Sequence, residues 1–201
     1  VTGAGSGIGR ASALALLNDG WQVVLAGRRR EPLEAVAAES GAGERAMPYP
    51  ADVSDASAVA ALFAAAVERF GRVDLLFNNA GVLSTGNCWE IGDTQWQQAW
   101  QVNVNGIVNG LRAFVPRLIK AERAARIINT ASVGGFLPSP LMAPYSATKF
   151  AVVALTESLA NELAAVAPQI QVSLLAPGPV KTAIFRETPS EASAQFHGLM
   201  T

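Results

Sequence analysis

The chain has 201 residues, half of them apolar and 15% charged, with a formal net charge of −1. These values suit one α/β domain with a substantial core and argue against disorder. They leave no basic stripe for nucleic acid and no apolar run long enough to span a bilayer, and one cysteine cannot form an intrachain disulfide.

Arg28, Arg29 and Arg30 form the only dense basic run. No signal peptide is visible, so a cytoplasmic location is expected. Cys88 is expected to be a bulky residue in a mobile segment. His197, the only histidine, lies in a polar carboxyl-terminal stretch, so neither a metal site nor a Ser-His-Asp triad is expected.

In chain order, Val1-Thr2 reads as the last step of a strand whose beginning is absent. A glycine-rich turn follows, then a helix over 8–18. Residues 21–26 (WQVVLA) read as a buried strand, 31–39 as a helix with Pro32 in its first turn, and 45–50 as a short strand. Asp52 opens a turn. A helix over 57–70 stops at Gly71, and strand 73–77 runs into Asn78-Asn79-Ala80-Gly81.

Asp93 or Thr94 is expected to cap a long helix that passes Trp96, Trp100 and Val104, bends near Gly106 and ends before Ala121. Strand 125–130 leads to Ser132, helix 145–163 follows, and strand 170–175 precedes Ala176-Pro177-Gly178-Pro179. Residues 183–201 read as a helix-loop over the site. No closing strand is visible, so residues are expected to be absent at both ends. The alternation implies a parallel sheet covered on both faces. Ligands on such sheets bind outside the carboxyl ends of the strands. The glycine turn, Asn79, Ser132 and the Pro177-Gly178 turn should therefore share one edge.

The turn Thr2-Gly3-Ala4-Gly5-Ser6-Gly7-Ile8-Gly9 lies between a strand end and a helix start. Glycines permit the tight bend and the approach of a pyrophosphate, while the helix start offers unpaired N–H groups. Gly3, Ser6, Ile8 and Gly9 are thus candidate dinucleotide-binding residues. No Gly-Lys-Ser/Thr follows, which excludes a Walker loop. At the end of the next strand a carboxylate would bind the ribose of NAD. Gly27, Arg28 and Arg29 stand there instead. A guanidinium can grip a 2′-phosphate with two hydrogen bonds, so NADP(H) is favoured through Arg28 and NAD(H) stays open. The alternative for these arginines is a solvated helix start.

Tyr145 and Lys149 are i and i+4 on one predicted helix and face the same way. A nearby ammonium should lower the pKa of a phenol, which ordinarily lies near ~10. Lys149 can also bond a nicotinamide ribose, and Ser132 can donate to a substrate oxygen. These three residues can polarise a carbonyl and exchange a proton with it.

At this point the chain resembles the short-chain dehydrogenase/reductase family, from Val1 to about Thr182. The likeness rests on TGAGSGIG at 2–9, NNAG at 78–81, Asn103 in VNVNG, Ser132 in TASVGG, YSATK at 145–149 and PGPVKT at 177–182. It implies a doubly wound Rossmann fold in a single dinucleotide-binding and catalytic domain over residues 1–201. It implies reversible hydride transfer between nicotinamide and a carbonyl or secondary alcohol. Tyr145 would be the acid/base, Lys149 its pKa-lowering partner, Ser132 the substrate-oxygen donor, and Asn103 the holder of a water linking Lys149 to solvent. Asp52 and Val53 would lie beside the adenine. Asn79, Ala80 and Gly81 would pack along the adenosine, and Val180 and Thr182 would meet the carboxamide.

Phe136, Leu137, Pro138, Leu141, Met142 and Phe185 point to an apolar pocket and a small-molecule ketone or secondary alcohol. The helices containing 94–120 and 145–163 carry surplus apolar surface, and the resemblance implies that they pair into a homodimer or homotetramer. Two other classes fit the same fold: a catalytically idle dinucleotide-binding regulator, and an interaction protein.

Overall fold

A computed structural model describes residues 1–182 and 184. Five parallel strands alternate with helices. Helix α1 (Gly7–Asn18) follows the opening turn, then come β1 (Val23–Gly27), α2 (Arg30–Ser40), β2 (Ala46–Pro50), α3 (Ala56–Phe70) and β3 (Leu75–Asn78). Next are α4 (Asp93–Trp100), α5 (Gly106–Ala121), β4 (Ala125–Thr130), α6 (Ala143–Val166) and β5 (Ile170–Leu175). β1 pairs with β2, and β3, β4 and β5 pair in that order, all parallel.

Val1 and Thr2 join the two ladders. Ala26 N donates to Val1 O at 2.9 Å on the β1 side, and Thr2 N donates to Phe77 O at 3.0 Å on the β3 side. The order β2-β1-opening segment-β3-β4-β5 puts the switch in winding direction at the glycine turn. In a doubly wound α/β fold that is where a ligand crevice opens.

Two apolar clusters hold the layers. Leu17, Leu25, Leu33 and Val36 pack α1 and α2 on β1. Leu76, Phe114, Ile127 and Leu163 pack α3, α5 and α6 around β3, β4 and β5. Phe63 meets Phe114 edge-on with ring centroids 4.8 Å apart, an arrangement that adds to the burial of both rings. Asp55 caps α3 by accepting from Ser57 N and Ala58 N, which holds its carboxyl below the usual range, chiefly through the Ser57 hydroxyl.

Sequence-derived boundaries shift by one to three residues at most ends, as fraying and turn geometry dictate. The larger correction is the long helix expected across 94–120. Its N-cap is Gly92, whose N–H is satisfied by Gln95 Oε1 at 3.2 Å, rather than Asp93 or Thr94. It is not one bent helix: a π turn over Gln101–Asn105 separates α4 from α5. Such turns cluster at functional sites because they redirect a side chain out of the helical ladder. Here the residue redirected is Asn103, which is fully buried. α6 starts two residues before Tyr145, with Pro144 in its first turn. Phe185 and His197 lie outside the described residues. Among the described residues, no helix is long and apolar enough to cross a membrane.

Candidate active site

The carboxyl ends of the strands border a cleft of about 500 Å³. The glycine turn forms one wall. Gly3 has φ +68°, in the left-handed region that favours glycine, and a Cβ there would sit 3.0 Å from Ala80 Cα. Ser6 heads α1 in extended conformation, makes no capping bond with its own side chain, and lines the cleft with Ile8. The backbone here is built for close approach by a group lying over the start of α1.

Gly9 is placed differently from the sequence expectation. It is buried, does not line the cleft, and packs α1 against the turn: a Cβ would lie 2.3 Å from Gly3 O and 2.5 Å from Asn79 Nδ2. Its contribution is to let helix and strand approach, not to touch a ligand.

The turn is stitched to β3 by its neighbour. Thr2 Oγ1 accepts from Asn79 N at 2.9 Å and Ala80 N at 3.1 Å, and Asn79 Nδ2 donates to Thr2 O at 3.0 Å. Asn79, Ala80 and Gly81 line the cleft. So do Arg28, Asp52, Val53, Val180 and Thr182. Asp52 Oδ1 is held by Ser54 N and Ser54 Oγ at 2.9 and 2.7 Å, which fixes the turn after β2. Arg29, Pro32 and Leu33 border the same end.

Ser132, Tyr145 and Lys149 line the other end together. Ser132 follows β4 and caps a short 3-10 turn, Val133–Gly135, accepting from Gly134 N at 3.1 Å. Tyr145 and Lys149 sit on the first turns of α6. Lys149 Nζ lies 5.6 Å from the centre of the Tyr145 ring and donates to Thr130 O at 2.8 Å. Burial lowers the Lys149 pKa to about 8, because the charged ammonium loses water.

The phenol does not follow the sequence expectation. Burial raises the Tyr145 pKa, and a hydrogen bond from Ser132 opposes that rise only in part. Lys149 does not pull it down. The ammonium is turned to the Thr130 carbonyl, and desolvation of the phenolate wins.

The Asn103 side chain is hydrogen-bonded through both its oxygen and its nitrogen. Its Oδ1 accepts from Val82 N at 2.8 Å, and its Nδ2 donates to Val82 O at 3.0 Å and Thr148 Oγ1 at 3.0 Å. The amide is therefore spent on clamping the loop after β3 to α6, and Asn103 does not line the cleft. It remains close to Lys149. A Cβ at Gly81 would be 3.3 Å from Asn103 Oδ1 and 3.6 Å from Lys149 Nζ, so both atoms face one small space. Thr130 and Thr148 were not singled out from sequence. Thr130 acts through a backbone carbonyl, which leaves no side-chain signal, whereas Thr148 stands inside YSATK and could have been read.

The residues fit a dinucleotide. The glycine wall admits a group against backbone N–H donors, and a cleft running from Arg28 to Tyr145 spans both strand sets.

Comparison with known proteins agrees with this geometry. An uncharacterized oxidoreductase of Staphylococcus saprophyticus is 37% identical over 182 residues, covering 90% of this chain and 73% of that one. A short chain dehydrogenase/reductase from Burkholderia phymatum, solved in complex with NAD, has a TM-score of 0.90 and 41% identity, covering 96% of this chain and 70% of that one. The 3-ketoacyl-(acyl-carrier-protein) reductase of Brucella melitensis, complexed with NADH, has a TM-score of 0.87 and 31% identity, covering all of this chain and 88% of that one. The short chain dehydrogenase family model matches residues 1–193, and the chain belongs to that family of oxidoreductases.

Proposed function

We propose that this protein is an NADP(H)-dependent ketone reductase and secondary-alcohol dehydrogenase, with Tyr145 as its acid/base. The observation that carries the reading is the shared cleft: Ser132, Tyr145 and Lys149 border the same space as the glycine turn. When bound, the nicotinamide supplies or accepts the hydride.

The chain's own residues orient the carbonyl and manage its proton. The Ser132 hydroxyl donates to the substrate oxygen, and the Tyr145 phenol donates beside it and gives up its proton as negative charge grows there. Burial raises the Tyr145 pKa and so favours the protonated phenol, the form that donates in reduction. Lys149, fixed by Thr130 O, presents its remaining N–H bonds to a ribose and to the small space shared with Asn103. Ser6 and Ile8 hold the pyrophosphate, Asp52 and Val53 the adenine, Asn79, Ala80 and Gly81 the adenosine side, and Val180 and Thr182 the carboxamide.

Preference for the 2′-phosphate is supported by Arg28 and Arg29. Both border the cleft just past β1, and neither is in an ion pair among the described residues, whereas neighbouring Arg30 pairs with Glu34. Beyond Tyr145 the described lining is neutral: Val133, Leu137, Ser139, Met142, Val180 and Ile184. A neutral, largely apolar ketone fits that surface. Trp100, Phe150 and Val166 leave large apolar groups exposed on α4 and α6, which supports a homodimer or homotetramer through those helices.

The test is separate titration of NADP⁺ and NAD⁺, followed by a panel of neutral ketones with NADPH, monitored by loss of reduced-cofactor absorbance. Tighter NADP⁺ binding and turnover of apolar ketones support the reading. Cofactor binding with no turnover across the panel would make the protein an idle binder instead.

A further inference from the structure

The helix that carries Tyr145 and Lys149 is held against β4 by an interface that is mostly apolar. Ile127 and Leu163 share one apolar cluster and Val152 joins Ala131 in another, all four fully or almost fully buried. Apolar contact is non-directional, so it resists separation of helix and sheet much more than it resists sliding. Sliding is what would misplace the site, because Ser132 and the Thr130 carbonyl belong to the end of β4 while the phenol and amine belong to α6.

One buried set of directional bonds opposes it. Asn78 Nδ2 donates to Asn129 Oδ1 at 2.9 Å, and Asn129 Nδ2 donates to Thr156 Oγ1 at 3.1 Å. Thr156 Oγ1 in turn donates to Val152 O at 2.6 Å. Asn78, Asn129 and Thr156 are each at most 4% exposed. The row ties β3 to β4 and β4 to α6 without touching the cleft. Asn129 precedes Thr130, and Thr156 lies seven residues, two helical turns, after Lys149 on the same face. Among the described residues the only other polar link between β4 and α6 is Lys149 Nζ to Thr130 O, through a long and flexible side chain.

We propose that Thr156 is a positioning residue: its hydroxyl, bonded to Asn129, sets how far α6 lies along β4 and so holds Tyr145 opposite Ser132. This rests on the reading of Tyr145 as proton donor. Losing the hydroxyl leaves Asn129 Nδ2 buried without an acceptor, and the relief available is movement of the helix. A misplacement of ~1 Å at a reacting centre can cost about a hundredfold in rate, so even a fraction of that movement is measurable.

The experiment uses the whole chain. Two tyrosines are present, so Tyr49→Phe isolates the Tyr145 phenolate signal in a base titration followed by ultraviolet absorbance. In that background Thr156→Val should move the Tyr145 midpoint upward by about one pH unit, because the Ser132 bond that opposes the rise is lost. It should also lower kcat about tenfold on the neutral ketone selected above, with NADPH affinity kept within about twofold. Thr156→Ser should restore both. Leu163→Val, which loosens the same helix through packing alone, should lower Tm and leave midpoint and kcat in place. Should the valine variant not fold, Thr156→Cys, a weak acceptor, takes its place and should give an intermediate shift. An unmoved midpoint in a folded Thr156 variant, or an equal shift in Leu163→Val, overturns the proposal. Undiminished turnover by Tyr145→Phe would instead overturn the reading beneath it.

Discussion

The two ends of the cleft are built on opposite electrostatic terms. At the Arg28 end, Arg28 and Arg29 are exposed, and the wall between them and α1 is glycine backbone. At the Tyr145 end, Lys149 is 3% exposed, Ser132 is buried, and both are tied to the protein, Lys149 Nζ to Thr130 O and Ser132 Oγ to Gly134 N. A charge in water is cheap to keep and weak in effect. A charge out of water is costly, and its effect depends on where it is held. The first end can therefore select a ligand with little penalty to the fold, while the second holds its groups in place at the expense of stability.

The strongest way to break this comparison is at the phenol. Tyr145→Phe removes the proposed proton donor while leaving a ring of the same shape, so kcat should fall about 10³-fold with NADPH affinity nearly unchanged. Single-turnover kinetics with a neutral ketone measure it. The pH profile carries the same information. Because burial raises the Tyr145 pKa, the wild-type reduction should persist through neutral pH, and alcohol oxidation, which needs phenolate, should climb as the solution becomes alkaline.

Lys149→Met comes next, with opposite signs on rate and stability. Turnover should drop about a hundredfold as the ribose and proton contacts vanish. Stability should rise at pH 7. The lysine pKa falls from 10.5 to about 8 on folding, a difference that corresponds to ~3 kcal/mol against the buried ammonium. Part of that gain is offset because Thr130 O loses its donor. Between pH 8 and 10.5 the unfolded chain holds the proton that the native protein has released, so wild-type stability rises with pH across that window. The variant lacks that slope. Its advantage in urea melts should be largest below pH 8 and should have closed by about pH 10.5. A variant less stable than wild type at pH 7 would mean that the ammonium is well solvated.

The contrast between the ends also explains what the sequence could reveal. Strand-helix alternation is written in local patterns, so the order of elements and the shared edge of Gly3, Asn79, Ser132 and Gly178 were legible. So was the i,i+4 pairing of Tyr145 with Lys149. Depth was not. Spacing says that two side chains face the same way but not how much water each loses, and desolvation set the direction for Tyr145. The π turn at Gln101–Asn105 was invisible for a similar reason. Its identifiable partners, Val82 and Thr148, lie 21 and 45 residues from Asn103. Gly9 belongs to the legible motif, yet its neighbours Gly3 O and Asn79 Nδ2 make it a packing residue. Thr156 had no motif at all, since a threonine in an apolar helix is unremarkable until Asn129 is found beside it.

The smallest expected effect tests the exposed end. Arg28→Ala should weaken NADPH binding about tenfold and leave NADH binding unchanged, since only the former carries a 2′-phosphate for a guanidinium to meet. Isothermal titration with each cofactor measures both. The stability of the variant should match wild type within about 0.5 kcal/mol, because an exposed arginine outside any described ion pair contributes little to the fold. Added salt should erode the NADPH preference of the wild-type protein and leave that of the variant nearly flat, as screening acts on exposed charge and spares buried charge. The same salt series should leave the Tyr145 titration almost unmoved. If instead salt shifted Tyr145 as strongly as it shifted NADPH affinity, the two ends would not differ in solvation, and the division of labour between selection at Arg28 and placement at Lys149 would fail.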